Sequence, residues 1–379
     1  MIFHPDLPII ISGSEDDTVN VYDQTTYKLI SQLQYGLKRV WSISATPDSN
    51  TIAFGFDEGT IVVKMGKDLP LASFVNGKVV QIKSKEIQTF NLKLISSADE
   101  DTKDGELVKP QNVKELGICE LAASGVKFAP SGRYFAVQSE NDFIIYTYPK
   151  YQNTAFGQAT DLVWNTDKAS ENNHTYACRT DNGTVKVYQN FQEFKAFKTA
   201  FANEGLFGGR LLAIKNKDFI TFYDWEEYRV VRRIDVNSQI KHVIWSDDGS
   251  YLIIALEESF YLLKFNSAFV NEQFNTREMT DEEQEDGLED AFTFIDEYNE
   301  VVHSGHWVSN ECFVLINARG SINYLIGGRI MKFGQANKKA FILGYDSKQS
   351  RLYLVDKSLN IHAHRLLMSV IQFQNAVLN

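Results

Sequence analysis

The chain has 379 residues, 44% hydrophobic and 13% aromatic, enough for a large core and for more than one domain. Its formal net charge of −11 lacks the basic footprint expected of a general nucleic-acid binder. No stretch reaches the roughly 18 apolar residues of a membrane span, and Met1-Ile2-Phe3-His4-Pro5-Asp6 lacks the basic and apolar regions of a signal peptide.

A short turn followed by a β-rich run that ends in an aromatic residue recurs along the chain. It occurs as Phe3-His4-Pro5 before Ile9-Ile10-Ile11-Ser12-Gly13-Ser14 and Val19-Asn20-Val21-Tyr22-Asp23. Thr46-Pro47-Asp48 likewise precedes Ile52-Ala53-Phe54-Gly55 and Gly59-Thr60-Ile61-Val62-Val63-Lys64, and Phe128-Ala129-Pro130-Ser131-Gly132 precedes Tyr134-Phe135-Ala136-Val137 and Phe143-Ile144-Ile145-Tyr146. Later copies pair Trp164-Asn165-Thr166-Asp167 with Gly183-Thr184-Val185-Lys186-Val187-Tyr188, and Trp245-Ser246-Asp247-Asp248-Gly249 with Phe260-Tyr261-Leu262-Leu263. A period of roughly 40 residues with several strands per unit predicts an all-β fold, the WD-repeat β-propeller, which serves as a docking platform. Asp57-Glu58-Gly59-Thr60 and Asp181-Asn182-Gly183-Thr184 read as hairpin turns between strands.

Two units precede residue 66. The others divide near 67–112, 113–157, 158–200, 201–237, 238–297, 298–336 and 337–365, so a seven-bladed ring is expected over 67–365. The two leading units start in mid-repeat and would leave open strand edges, so the chain reads as a piece of a longer protein. Residues 96–114, with Asp99-Glu100-Asp101, Lys103-Asp104-Gly105 and Lys109-Pro110, read as an exposed loop of the first complete blade.

Over 280–302, Thr280 and Glu283 fit a capping box, and Leu288, Ala291, Phe292, Ile295 and Tyr298 repeat at helical spacing. An inserted amphipathic helix with an acidic leading end is expected, either sealing the propeller flank or docking a basic partner. From Leu366 to Asn379 the pattern turns helical, with Leu367, Val370, Ile371, Gln374 and Val377-Leu378 on one face, as at the start of an α-solenoid.

Residues suited to chemistry are sparse. His303-x-x-His306 crosses an expected turn at Gly305, and His362-x-His364 shares a strand face without completing a zinc set. There is no Gly-x-Ser-x-Gly elbow and no Walker loop. Gly208-Gly209 and Gly327-Gly328 read as equivalent hairpin turns, and Glu257-Glu258 and Asp247-Asp248 as turn or strand-end residues. Trp41, Trp164, Trp225, Trp245 and Trp307 read as blade core. Cys119, Cys178 and Cys312 read as buried thiols of a cytosolic protein. The sequons at Asn173 and Asn182 read as chance matches in turns, and Lys38-Arg39, Arg232-Arg233 and Lys338-Lys339 are too sparse for a nucleic-acid groove. No catalytic, cofactor-binding, metal or binding residue is assigned.

Specific strings go beyond a generic propeller. Phe3-His4-Pro5-Asp6-Leu7-Pro8-Ile9-Ile10-Ile11-Ser12-Gly13-Ser14-Glu15-Asp16 resembles the closing blades of the first propeller in the coatomer beta-prime family of the COPI vesicle coat. In the same order follow Gly55-Phe56-Asp57-Glu58-Gly59, Pro130-Ser131-Gly132-Arg133-Tyr134, Ile144-Ile145-Tyr146-Thr147, Phe222-Tyr223-Asp224-Trp225 and Arg232-Arg233-Ile234. Ile244-Trp245-Ser246-Asp247, Gly287-Leu288-Glu289-Asp290-Ala291-Phe292 and Ile322-Asn323-Tyr324-Leu325-Ile326-Gly327-Gly328 complete the series.

The resemblance implies two propellers followed by an α-solenoid, of which this chain would hold the last two blades of the first propeller (1–66), the second propeller (67–365) and the opening of the solenoid (366–379). It implies a non-catalytic coat subunit, without cofactor, at the cytoplasmic face of Golgi membranes and on COPI vesicles, in Golgi-to-ER and intra-Golgi transport. The implied partners are other coatomer subunits, chiefly alpha, with Arf GTPase and dilysine cargo tails for the full-length protein and no nucleic acid. Most of the first propeller lies outside this chain, so no dilysine-contact residue is carried over. The alternative is a WD-repeat adaptor of another complex, such as a ubiquitin-ligase receptor or an intraflagellar transport component.

Overall fold

A computed structural model describes residues 1–379 except 6–8, 25, 47–48, 66–68, 84, 96–104, 168–173, 277–278, 337–339 and 379. The Pro47-Asp48 turn, the charged run 99–104, Asn173 and Lys338-Lys339 therefore lie outside the described residues. The chain divides into two compact units, Met1–Leu69 and Pro70–Asn379.

The first unit holds a four-stranded sheet (Ile2–Phe3, Ile9–Gly13, Thr18–Asp23, Leu29–Gln34) and a three-stranded one (Val40–Ala45, Thr51–Phe56, Gly59–Lys64). Ile11, Val19, Ile52 and Phe54 are buried between them.

The second unit holds, among the described residues, seven four-stranded antiparallel sheets. Their inner strands are Ala72–Val75, Gly125–Phe128, Asp161–Trp164, Gly205–Phe207, His242–Trp245, Ser304–Ser309 and Phe341–Asp346, for blades one to seven. The core is divided among seven apolar seams, one between each pair of neighbouring blades. The seam of Val79, Phe90 and Leu92 with Phe341, Tyr353 and Ile361 joins the first blade to the seventh and closes the ring.

This arrangement explains why the middle strands read as unbroken apolar runs. Successive side chains point to opposite faces, and here both faces are buried. In Tyr134–Gln138, Phe135 and Val137 enter the seam with the first blade, whereas Ala136 enters the seam with the third.

The aromatic that ends the third strand of many repeats has a structural position. Tyr22, Tyr146, Tyr188 and Tyr223 each sit where the register with the outer strand shifts by a β-bulge. Five residues beyond three of them, Tyr27, Tyr151 and Tyr228 take positive φ (56°, 54° and 63°) and turn the chain back into the outer strand. Tyr151 then stacks on Tyr146 at a centroid distance of 4.5 Å.

Several expectations need correction. Leu107–Val108, inside the segment read as an exposed loop, is the outer strand of the seventh blade and pairs with Ile361–Arg365. The expected helix over 280–302 is a short helix, a 3-10 turn and a strand. In this insert, α1 is Ser267–Thr276 and α2 is Asp281–Asp286, after which the chain continues as Glu289–Ala291 and the outer strand Phe292–Tyr298. The capping box forms as read, with the Glu283 N–H donating to Thr280 Oγ1 at 3.3 Å and the Thr280 N–H to Glu283 Oε2 at 3.0 Å. Gly287, at φ 79°, ends α2, and strand-forming Phe292-Thr293-Phe294-Ile295 supplies the edge that completes the fifth blade.

Trp41 is 65% exposed instead of core. Gly305 lies within an inner strand instead of a turn.

At the C-terminus, α3 (Met368–Leu378) buries Ile371 against the seam between the sixth and seventh blades, with Met368 beside it. Leu367 and Val370, expected on the same apolar face, are exposed.

Candidate interaction surfaces

Along the axis, the inner strands are cross-linked from blade to blade. The Phe128 N–H donates to Ser73 Oγ at 2.9 Å and the Ile342 N–H to Ser304 Oγ at 3.0 Å. The Trp307 indole N–H donates to the Ile244 carbonyl at 3.1 Å. These bonds satisfy backbone groups that a strand edge would otherwise leave unpaired.

Charged groups gather where the inner strands begin. Arg179 pairs with Asp161 at 2.8 Å and donates to the Asn203 carbonyl at 3.3 Å. Lys215 donates to the Ile240 carbonyl at 3.2 Å, and Lys241 approaches Glu257 at 3.7 Å. Burial lowers the pKa of Lys215; Glu204 opposes the shift, and the charges of Lys241 and Arg179 add to it. His242, on the fifth inner strand, is pushed down to about 4, by desolvation first and then by His303, Lys127 and Lys241. His306 is also lowered by burial, against an opposing effect of Asp247. Both imidazoles are thus neutral at pH 7.

At the other ends of the inner strands, a cavity of about 320 Å³ is lined by Phe74, Phe128, Trp164, Ser73, Lys127 and Thr166. It brings together no nucleophile with a base. Among the described residues no group of three His, Cys, Asp or Glu could hold a metal ion. Cys119, Cys178 and Cys312 are buried and free, and burial raises all three thiols, Cys312 to about 12. Asn182 accepts from the Thr184 N–H at 3.2 Å within its turn, and the His362 ring lies 3.1 Å from the Gly105 carbonyl beside the closing strand.

Trp164, Trp225 and Trp307 are buried in seams, and Trp245 is partly buried in another. The paired glycines are not equivalent. Gly327 and Gly328 form a hairpin turn with φ 54° and 76°, whereas a Cβ on Gly209 would overlap the indole of Trp245. Gly209 is therefore a close-packing residue, which a Gly-Gly string alone does not distinguish from a turn.

The charge of the chain is concentrated on one flank. Between Met279 and Val302 there are ten Asp and Glu and no Lys or Arg, against a net charge of −11 for the whole chain. This segment is fastened to the outer strand of the fourth blade, Val230–Asp235. The Leu288 N–H donates to the Val231 carbonyl at 2.8 Å, Arg233 pairs with Asp286 at 3.5 Å, and Arg229 lies 3.9 Å from the Phe274 ring centroid. A Cβ on Gly287 would sit 2.6 Å from Arg232 Cα, so the approach needs glycine. The insert thus covers the edge of the fourth blade and turns its carboxylates outward.

Among the described residues no helix is long and apolar enough to cross a membrane. A chain of a structure titled "Crystal Structure of Mitotic Checkpoint Complex" superposes with a TM-score of 0.55 over 86% of this chain and 91% of its own, at 12% identity; that likeness shows the fold alone. The family described as COPA/B second beta-propeller matches residues 84–356, and the WD domain, G-beta repeat, matches residues 1–23. Coatomer subunit beta' of Rattus norvegicus is 41% identical over 377 residues, that of Drosophila melanogaster 39% over 378, and Coatomer subunit beta'-2 of Oryza sativa 40% over 378. Each alignment covers 99% of this chain, which spans about 40% of the length of these relatives. The chain belongs to the coatomer beta' family, and its seven-bladed unit is a COPA/B second beta-propeller.

Proposed function

We propose that this chain is a non-catalytic scaffold portion of a COPI coat subunit acting in Golgi-to-ER and intra-Golgi transport. The observation that carries the reading is its colinear identity with coatomer subunit beta' over 99% of the chain. A ring held by seven apolar seams suits that role, because it presents rigid faces on which many weak contacts can add across a coat.

In this reading residues 1–66 are the last two blades of a first propeller, 67–365 the second propeller and 366–379 the opening of an α-solenoid. The chief partner is the coatomer alpha subunit, and the site of action is the cytoplasmic face of Golgi membranes. Arf GTPase and dilysine cargo tails engage the protein of the relatives' length.

Two binding measurements test the reading. Purified coatomer alpha subunit is expected to bind the chain. A dilysine-tailed peptide is expected to bind no better than its dialanine control, because most of the first propeller lies outside this chain. Failure to bind the alpha subunit, or selective capture of the dilysine peptide, would contradict the assignment.

A further inference from the structure

The flank between the first and second blades carries a groove of about 510 Å³ that the coat reading does not use. Leu121, Phe143, Ile144, Phe156 and Gly157 are among its lining residues, and of these Ile144 packs into the seam with the first blade. Phe156 is 78% exposed, and Ile118, on the outer strand of the first blade, is 71% exposed. Isolated exposed apolar residues are ordinary, but a phenyl ring as exposed as Phe156 lining a groove is not. The groove is preformed because the Tyr151 hydroxyl donates to the Ile118 carbonyl at 2.7 Å, tying the two blades together at its end.

The adjoining strand edge is also unprotected. Outer strands are usually guarded by charge, proline or a covering segment. In the seven-bladed unit the third-blade edge carries Glu193, Lys195 and Lys198, the sixth Arg329 and Lys332, the fifth Asp296 and Glu297, and the fourth lies under the insert. Asn153–Gln158, the outer strand of the second blade, has no charge and no proline, and no described strand pairs with its outer side. The charged residues lining the groove are Glu120 and Asp142, both exposed carboxylates, and no Lys or Arg lines it.

We propose that this flank docks an extended, basic and apolar peptide segment of a partner protein. The segment adds as a strand to Asn153–Gln158, inserts an aliphatic side chain beside Phe156, and sets a Lys or Arg against Glu120 and Asp142. Backbone pairing at an open edge supplies affinity, and alternate side chains entering a groove supply selectivity.

The test needs no coat subunit, so its outcome is separate from that of the coat reading. A short fluorescein-labelled peptide of alternating leucine and lysine is titrated against the whole chain and followed by anisotropy, with a leucine–glutamate peptide as control. The leucine–lysine peptide is expected to bind selectively and to slow hydrogen exchange within 153–158. Phe156→Asn, which changes no charge, is expected to weaken binding at least about tenfold with the melting temperature unchanged. Asp142→Asn is expected to weaken binding and to reduce its salt dependence.

Equal binding of the two peptides, an unaltered affinity in Phe156→Asn, or protection at the acidic edge Phe292–Tyr298 instead would overturn the proposal. So would concentration-dependent self-association that Phe156→Asn abolishes, because the occupant would then be a second copy.

Discussion

Leu107 pairs in register with His362, so a two-residue strand from a segment between strands of the first blade completes the seventh. Val108, paired with Ile361, packs on the seam that closes the ring. Val108→Asp would put a carboxylate into that seam and is expected to cost about 1–3 kcal/mol. Hydrogen exchange should accelerate first at Ile361–Arg365. An unchanged exchange pattern there would show that closure rests on the Phe341 and Tyr353 packing alone.

Gly209→Ala is expected to destabilise the ring by about 1–3 kcal/mol in urea unfolding, because the added methyl overlaps Trp245 within a packed seam. The second variant Trp245→Leu should make room, so the double mutant should lose less than the sum of the single changes. Additive losses would mean that the two residues do not share one space.

The depressed His242 sets a pH dependence. Its folded-state value of about 4 lies below its ordinary 6.5, so the unfolded chain takes up a proton that the folded ring excludes. The associated stability is fully present above pH 6.5 and is lost as pH falls through about 4. At full extent it is on the order of 3 kcal/mol. The stability difference between the wild-type chain and His242→Asn should therefore shrink between pH 7 and pH 4. A difference independent of pH would place the imidazole in water.

Two tryptophans read alike in sequence should respond differently. Trp307→Phe removes a donor to the partly buried Ile244 carbonyl from a buried indole and should cost about 1–3 kcal/mol. Trp41 is exposed and bonded to Asp57 at the surface, so Trp41→Phe should stay within about 0.5 kcal/mol. Equal effects in thermal unfolding would contradict their different burial.

The repeat was legible because propeller strands are short, bury both faces and end at a recurring aromatic bulge, so Tyr22, Tyr146, Tyr188 and Tyr223 mark their blades directly. The closing strand was not, since two residues such as Leu107-Val108 carry no period. At 292–298 the apolar residues fit helical spacing as well as they fit a strand, and the tertiary need of the fifth blade for an outer strand decided between them. Trp41 and Gly209 show the same limit in another form. Composition tells that an indole or a glycine is present, whereas only the neighbouring blade tells whether it is covered. The groove beside Phe156 joins residues from two blades, and no local string announces it.

The coat assignment is tested most directly by affinity purification of the tagged chain from cells, with coatomer subunits quantified by mass spectrometry against an unrelated seven-bladed propeller. The account predicts enrichment of the alpha subunit together with the rest of the coat. Recovery no greater than that on the control propeller would contradict it.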